Sequence, residues 1–330
     1  MPKQTKLPFQ KFNRQEEEII DKEIQKLLEM EVISEVSYTE GQFISPIFTR
    51  PKKDGEYRMI LNLKELNSYI TYRHFKLDTF ETALHLVTPN CFMAVVDLRQ
   101  AYYSVPIADS HRRYLRFIWK DKTYEYSSLP NGVACAPRYF TKLLKPVYAK
   151  LRQMGHKNSG YIDDSLLLAD TENDCEQNVK DTVSVMSKVG FLVHKDKSVF
   201  KPSLDIGFLG NRINSEKMIV YLPKDKMDSI VCECQCLMSK EVATIREVAH
   251  VTGLLVSTFS AVQYGPLFYR EIEKQKILAL KQNQGNFEAK MKVTDNMRKD
   301  LVWWIHNLHR QVRNISWGNP DKIITTDASL

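Results

Sequence analysis

Two adjacent acids, Asp163 and Asp164, interrupt an otherwise apolar run from residue 161 to residue 168. Such a segment cannot bury both carboxylates in a core, and a hairpin tip between two strands is the local structure that frees them. Both are ionised at neutral pH and repel each other unless something compensates, as a bound divalent cation does. A solvated Asp-Asp turn is the plain alternative. A further acid, Asp97, ends the apolar strand-like run 92–97, so Asp97 and Asp163 can lie on neighbouring strands of one sheet although 66 residues apart. Three carboxylates there can hold two Mg²⁺ ions about 3.5–4 Å apart, the arrangement for in-line phosphoryl transfer. Each Mg²⁺ takes one or two carboxylates and completes its octahedron with water and substrate phosphate.

The rest of the chain supplies a body for such a site. Residues 14–31 place Ile20, Ile24, Leu27 and Leu28 at helical spacing. Runs 44–49 and 57–61 flank the turn signal Lys53-Asp54-Gly55, and runs 113–119 and 123–127 flank Lys120-Asp121-Lys122, so two hairpins are expected. Helices are expected over 137–154, with a proline in the first turn, and over 172–189, stopped by Gly190. Strands are expected near 191–194, 206–209 and 218–222, and helices over 224–238, 245–259, 264–281 and 291–311. Thr244 and Glu247 form a capping box for the second of these helices. A mixed α+β body thus runs to about residue 222 and a helical region follows.

Composition narrows the class. Twelve Gly and 13 Pro in 330 residues fall far below the roughly 25–30% of low-complexity disorder, and 43% hydrophobic residues suffice for a sizeable core. The longest mostly apolar run, 251–267, contains several polar residues, whereas a span needs about 20 predominantly apolar ones. The N-terminus has no apolar signal segment, and six Cys make no disulfide scaffold, so an intracellular site, cytoplasm or nucleus, is expected. The net charge of +7 suits a polyanionic partner without proving one.

Taken together these segments resemble the polymerase domain of a retroelement reverse transcriptase. Asp97 through Tyr102 is similar to the family's motif A, Leu129-Pro130-Asn131-Gly132 with Ala136-Pro137 to motif B, and Tyr161-Ile162-Asp163-Asp164 to its Tyr-x-Asp-Asp box. Gly190-Phe191 with Lys197-Ser198 resembles motif D, and Phe208-Leu209-Gly210 resembles motif E. All stand in the family's order, and the likeness covers about residue 25 to the end. Residues 140–146 and the stretch Val248 to Pro266 look most like DIRS-type retrotransposons, with gypsy-type elements next nearest.

The resemblance implies the right-hand polymerase fold. Residues 1–24 would be an N-terminal extension, 25–90 and 107–135 the fingers, 91–106 and 136–222 a palm with an antiparallel sheet, and 223–318 a helical thumb and its extension. It implies RNA-directed DNA synthesis, and DNA-directed synthesis too, with an RNA or DNA template, a DNA primer and dNTP as partners. It also implies catalytic, metal-ligating roles for Asp97, Asp163 and Asp164 with two Mg²⁺, Mn²⁺ substituting. Lys52 and Arg58 would hold the triphosphate, Arg58 with two parallel donors. Tyr102 would lie under the sugar and exclude a 2′-hydroxyl. Asn131 stands where relatives carry a longer or aromatic nucleotide contact. Lys197 matches the motif D lysine, with Lys195 as its rival and a surface lysine as the plain reading of either. Phe208, Leu209 and Gly210 would form the primer grip, a plain β-turn being the alternative.

Other features point elsewhere. Cys232-x-Cys234-x-Cys236 lacks the usual zinc spacing and the eight His suggest no ligand set. Trp303 and Trp304 read as packing rather than base stacking. Residues 322–329 are similar to the first strand of an RNase H domain, Asp327 being its first acid, so 319–330 would be that domain's truncated start and RNase H activity would be absent. An inactive or domesticated fragment that binds nucleic acid without polymerising is the competing reading.

Overall fold

In the computed structural model, which describes residues 10–51 and 57–315 with Pro2, Gln4, Leu7 and Pro8, the first helix, α1 (Arg14–Glu29), starts on a capping box. The Asn13 side chain accepts from the Glu16 N–H and the Glu16 side chain accepts from the Asn13 N–H. Its buried stripe of Ile20, Ile24 and Leu27 packs on a small sheet module. That module holds β1 (Ile33–Val36) and the pair β2 (Ile47–Pro51) and β3 (Tyr57–Leu61), followed by the single turn α2 (Lys64–Asn67). After α3 (Phe80–Leu84) and β4 (Phe92–Asp97) come a 3₁₀ turn over Ala101–Ser104 and the short α4 (Asp109–Arg112). Then β5 (Arg116–Trp119) and β6 (Lys122–Tyr126) pair antiparallel, and β6 also pairs with β1.

The central sheet is built next, from α5 (Ala136–Gln153), β7 (Lys157–Tyr161), β8 (Asp164–Ala169), α6 (Glu172–Lys188) and β9 (Val199–Ser203). Its strand order is β7-β8-β4-β9, all antiparallel. Strand alternation sends Ala94, Val96 and Leu167 to a cluster with Cys175 and Val179 of α6, while Met93, Val95, Leu166 and Leu168 face the opposite core. On that side lies a second sheet of β10 (Asp205–Phe208), β11 (Asn211–Asn214) and β12 (Ile219–Tyr221), completed by the short C-terminal strand Arg313–Asn314 paired with β12.

The C-terminal region holds α7 (Lys224–Met238), β13 (Val242–Thr244), α8 (Ile245–Val256), α9 (Arg270–Gln282), β14 (Lys290–Lys292), α10 (Asp295–Asn307) and β15 (Arg313–Asn314). Trp304 is fully buried and its indole N–H donates to the Phe268 carbonyl at 2.8 Å. Trp303 stacks on Phe268 at 4.2 Å between centroids, so both tryptophans pack. The capping box of Thr244 and Glu247 is present.

Several expectations are corrected. Residues 191–194 are no strand: one bridge, Leu98 to Val193, replaces the ladder, and the strand comes later as β9. The helix expected from 291 begins at Asp295, where Thr294 caps it, because 290–292 pair with β13 instead. The region after 222 is therefore not purely helical. The helix expected from 264 begins at Arg270, since Pro266 sits in a separate 3₁₀ turn. The helix expected to end at 259 ends at Val256. The turn Lys53-Asp54-Gly55 and the segment 319–330 lie outside the described residues.

Candidate active site

Asp97 and Asp164 occupy directly paired positions of β4 and β8. Their side chains share a hydrogen bond. Asp163 and Ile162 form the two-residue tip between Tyr161 and Asp164. Ile162 has φ +54°, a left-handed conformation that a β-branched residue resists. The surrounding contacts hold that strained tip: the Asp163 carbonyl accepts from the Leu98 N–H at 2.9 Å, tying it to the end of β4.

Burial raises the Asp97 carboxyl above the ordinary range, opposed by Lys197 and reinforced by Asp163, and only 8% of Asp97 is exposed. Asp164 is pushed up to about 6, first by burial and then by Asp163 and Asp97. No ion pair neutralises these acids among the described residues, and Lys197 is the lysine whose charge reaches both Asp97 and Asp164. Three crowded oxygen acids with one exposed cation nearby form a donor set suited to a hard divalent ion. No three His, Cys, Asp or Glu side chains among the described residues already converge on one point. Mg²⁺ does not demand that, because water and substrate phosphates complete its shell.

The segment after Gly190 locks the end of β4. The Asp97 N–H donates to Ser198 Oγ at 3.0 Å, Ser198 Oγ–H donates to the His194 carbonyl at 2.7 Å, and the His194 N–H donates to the Asp97 carbonyl at 2.8 Å. His194 also lowers the Asp97 pKa through its charge. The sequence reading passed over His194, because only the closure of this loop against β4 brings it near.

Tyr102 is half-buried in the 3₁₀ turn and meets Phe140 edge to face at 5.3 Å. Its hydroxyl is pushed up to about 12 by burial and by the Asp163 charge, so the ring stands within electrostatic reach of the acids. Asn131 is on an exposed loop, and its side chain hydrogen-bonds the Tyr103 hydroxyl in the same turn. That loop is held by Asn67, whose amide donates to the Gly132 carbonyl at 2.9 Å and whose oxygen accepts from the Ala134 N–H at 2.8 Å. Gly132 has φ +97°, where a side chain would be strained.

Arg58 stands exposed on β3 directly opposite Arg50 of β2, and neither forms an ion pair among the described residues. Two cations facing across a ladder repel unless an anion joins them. Arg50 was missed because only the hairpin register reveals the pairing. Lys52 lies outside the described residues. Phe208 ends β10 buried, and Leu209 and Gly210, at φ +47° and +75°, make the two-residue turn into β11. The structure thus brings together Asp97, Asp163, Asp164, Tyr102 and Lys197, links Asn131 to them through Tyr103, and places Arg58 and the 208–210 turn on neighbouring elements.

Comparison with known proteins fits this architecture. Solved foamy viral protease-reverse transcriptases share the fold. One, titled as a complex with ds DNA, aligns with TM-score 0.74 at 19% identity over 92% of this chain and 50% of that one. Another, titled as a complex with RNA/DNA hybrid, aligns with TM-score 0.73 at 20% identity over 92% of this chain and 38% of that one. The chain therefore has the right-hand polymerase fold.

The family model described as reverse transcriptase (RNA-dependent DNA polymerase) matches residues 50–213. The Transposon Tf2-3 and Tf2-4 polyproteins of Schizosaccharomyces pombe are each 26% identical over 172 residues, 52% of this chain and 13% of theirs. Residues 50–213 are thus similar to the reverse transcriptase family, and about half of the chain is similar to these retroelement polyproteins. The chain spans about an eighth of the length of these curated relatives. No helix among the described residues is long and apolar enough to cross a membrane.

Proposed function

We propose that this chain is an RNA-directed DNA polymerase of a retrotransposon that also copies DNA. It would join the α-phosphate of a dNTP to a primer 3′-hydroxyl with release of pyrophosphate. The observation that carries the reading is the pairing of Asp97 with Asp164 on adjacent strands and the placement of Asp163 at the strained tip beside them. Asp97 and Asp163 would ligate both metal ions and Asp164 would be the more peripheral ligand. Bound Mg²⁺, or Mn²⁺ in its place, would activate the 3′-hydroxyl and neutralise the triphosphate.

The protein's own part is positioning. Tyr102 lies against Phe140 where it can floor the sugar. Arg58 with Lys52 would grip the triphosphate, Lys197 would protonate the leaving pyrophosphate, and Asn131 would contact the nucleotide while its bond to Tyr103 steadies the turn that holds Tyr102. The 208–210 turn holds the primer strand. Residues 25–90 and 107–135 serve as fingers, 91–106 and 136–222 as palm, and 223–318 as thumb. We place the element nearest the DIRS type on the strength of residues 140–146 and 248–266, with the gypsy type next, and its site of action inside the cell.

Primer extension on an RNA template with dNTP and Mg²⁺ tests the proposal, with Asp163→Asn run alongside. Metal-dependent cDNA from the native chain alone is the expected result. Extension that persists in Asp163→Asn removes the assigned metal site, and duplex binding without extension by either chain removes the polymerase.

A further inference from the structure

The two-residue turn from β10 into β11 does not have the sequence that such a turn prefers. Leu209 and Gly210 both take positive φ, +47° and +75°. Turns of this hand favour Asn, Asp or Gly at the first position, so Leu209 keeps its conformation because its neighbours compel it. Two side chains hold the turn's carbonyls. The Asn211 amide, buried opposite Phe208, donates to the Leu209 carbonyl at 3.4 Å. Lys226 Nζ, from the start of α7, donates to the Gly210 carbonyl at 3.2 Å.

From Asn211 the hydrogen bonds continue across the molecule. Ser260, in the loop after α8, donates its hydroxyl to Asn211 Oδ1 at 3.2 Å. The Ser260 carbonyl accepts from Arg313 Nη1 at 3.2 Å. The same guanidinium grips the Glu81 carboxylate of α3 with both terminal nitrogens, Nη2 donating to Oε2 at 2.9 Å. Arg313 stands opposite buried Val220 in the ladder of β15 and β12, and partners across a ladder share a face, so Arg313 is turned inward toward Ser260. Phe80, beside Glu81, stacks on Phe208 at 6.4 Å between centroids, so α3 meets the turn from its other end as well.

Four distant parts of the chain thus converge on one turn. The ion pair at the far end is partly exposed, and such a pair adds little to folding. Its effect lies in the place it fixes. We infer that Asn211, Ser260 and Arg313 are positioning residues, a latch that holds the 208–210 turn and with it the last nucleotide of the primer. What the turn holds rests on the proposed polymerase function; the latch itself does not.

Hydrogen exchange of the amides in residues 205–214 reads the latch without any reaction, and single-turnover nucleotide addition reads its consequence. Ser260→Ala removes the middle bond and leaves the Ser260 carbonyl in place. It should speed exchange at Gly210 and Asn211 and slow addition about tenfold, the worth of one hydrogen bond that keeps reacting groups aligned. The fraction of active molecules and the affinity for primer–template duplex should stay at native values, whereas a general loss of structure would lower the active fraction. Arg313→Glu combined with Glu81→Arg restores an ion pair but leaves the Ser260 carbonyl without its donor. This double variant should regain the thermal stability lost in Arg313→Glu and remain slow in addition.

Unchanged exchange in Ser260→Ala overturns the latch whatever the rate. Faster exchange with addition at native speed overturns its hold on the primer. A double variant that recovers the full rate overturns it too, because the pair would then be a staple and no more. A native chain that binds duplex but extends no primer strikes the polymerase reading, and the exchange result alone then decides the latch.

Discussion

The carboxyl groups of Asp97 and Asp164 share a hydrogen bond across directly opposed positions of two antiparallel strands. Strand pairing forces two acids together, and burial raises both above the ordinary carboxylate range. Asp164 titrates near 6 in the fold against 3.8 for the free side chain, so the metal-free folded state binds more protons than the unfolded chain between these values. Stability is therefore gained as pH falls through about 6, and the crowding is fully felt above it. Without metal, Asp164→Asn should raise stability at pH 8 by on the order of 1–2 kcal/mol, allowing for partial solvent screening, with the gain vanishing toward pH 4. Thermal unfolding in EDTA across this range checks it. A variant no more stable than the native chain at pH 8 removes the repulsion argument. Adding Mg²⁺ at pH 8 should stabilise the native chain and leave Asp163→Asn nearly unmoved.

Tyr102 is held edge to face by Phe140, and its hydroxyl, pushed up to about 12, stays protonated at every working pH. On the proposed function, a fixed ring beside the acids would discriminate by shape. Tyr102→Val should raise ribonucleotide use relative to deoxyribonucleotide use by about 10- to 200-fold, the range available to one steric contact. Single-nucleotide insertion with paired rNTP and dNTP measures it, and an unchanged ratio would mean that another group meets the sugar.

Much of this site could be read from the chain because its parts are local. The acid at the end of an apolar strand and the adjacent acids of a hairpin are local patterns: Asp97 ends β4 and Asp163 stands at the tip as expected, while Asp164 is the first residue of β8 rather than part of the tip. What escaped was fixed by distant partners. Residues 191–194 have strand-like composition, but their backbone is claimed by Leu98, Arg99 and Asp97, leaving one bridge. Met291 and its neighbours fit a helical period, yet Lys290–Lys292 complete a two-stranded ladder with β13 some 50 positions earlier. Arg50 opposite Arg58 and His194 beside Asp97 likewise follow from register and loop closure, which no window of sequence contains.

Gly160, just before the acid-bearing tip, is required by its neighbour rather than by its backbone angle. A Cβ there would overlap Cζ and the hydroxyl of Tyr148. That ring is buried, and its hydroxyl is hydrogen-bonded to Ser165 at 2.7 Å, so it cannot swing aside. Gly160→Ala should cost about 2–3 kcal/mol through overpacking. Tyr148→Phe alone should cost about 1 kcal/mol by leaving Ser165 unpaired. In the Tyr148→Phe background the alanine penalty should shrink, because one of the overlapping atoms is gone. Denaturant unfolding of the two single variants and the double variant tests this, and strictly additive costs would show that the two residues do not meet.

Arg116 is 5% exposed on β5, yet its guanidinium is fully occupied. Its Nε donates to Glu125 of β6 at 2.7 Å, and Nη1 donates to the Gln42 side chain at 2.7 Å and to the Ser37 carbonyl at 3.3 Å. The pair therefore staples the β5–β6 hairpin to the segment after β1, on the module that carries Arg50 and Arg58. Removing one member of a buried pair strands the other, so Arg116→Met should cost about 3–5 kcal/mol. The partner carboxylate causes most of that loss, and Arg116→Met with Glu125→Leu should recover the greater part of it. Equilibrium unfolding of these variants decides the matter: a double variant as unstable as Arg116→Met would mean that the contacts to Gln42 and Ser37, rather than the ion pair, hold this corner of the fold.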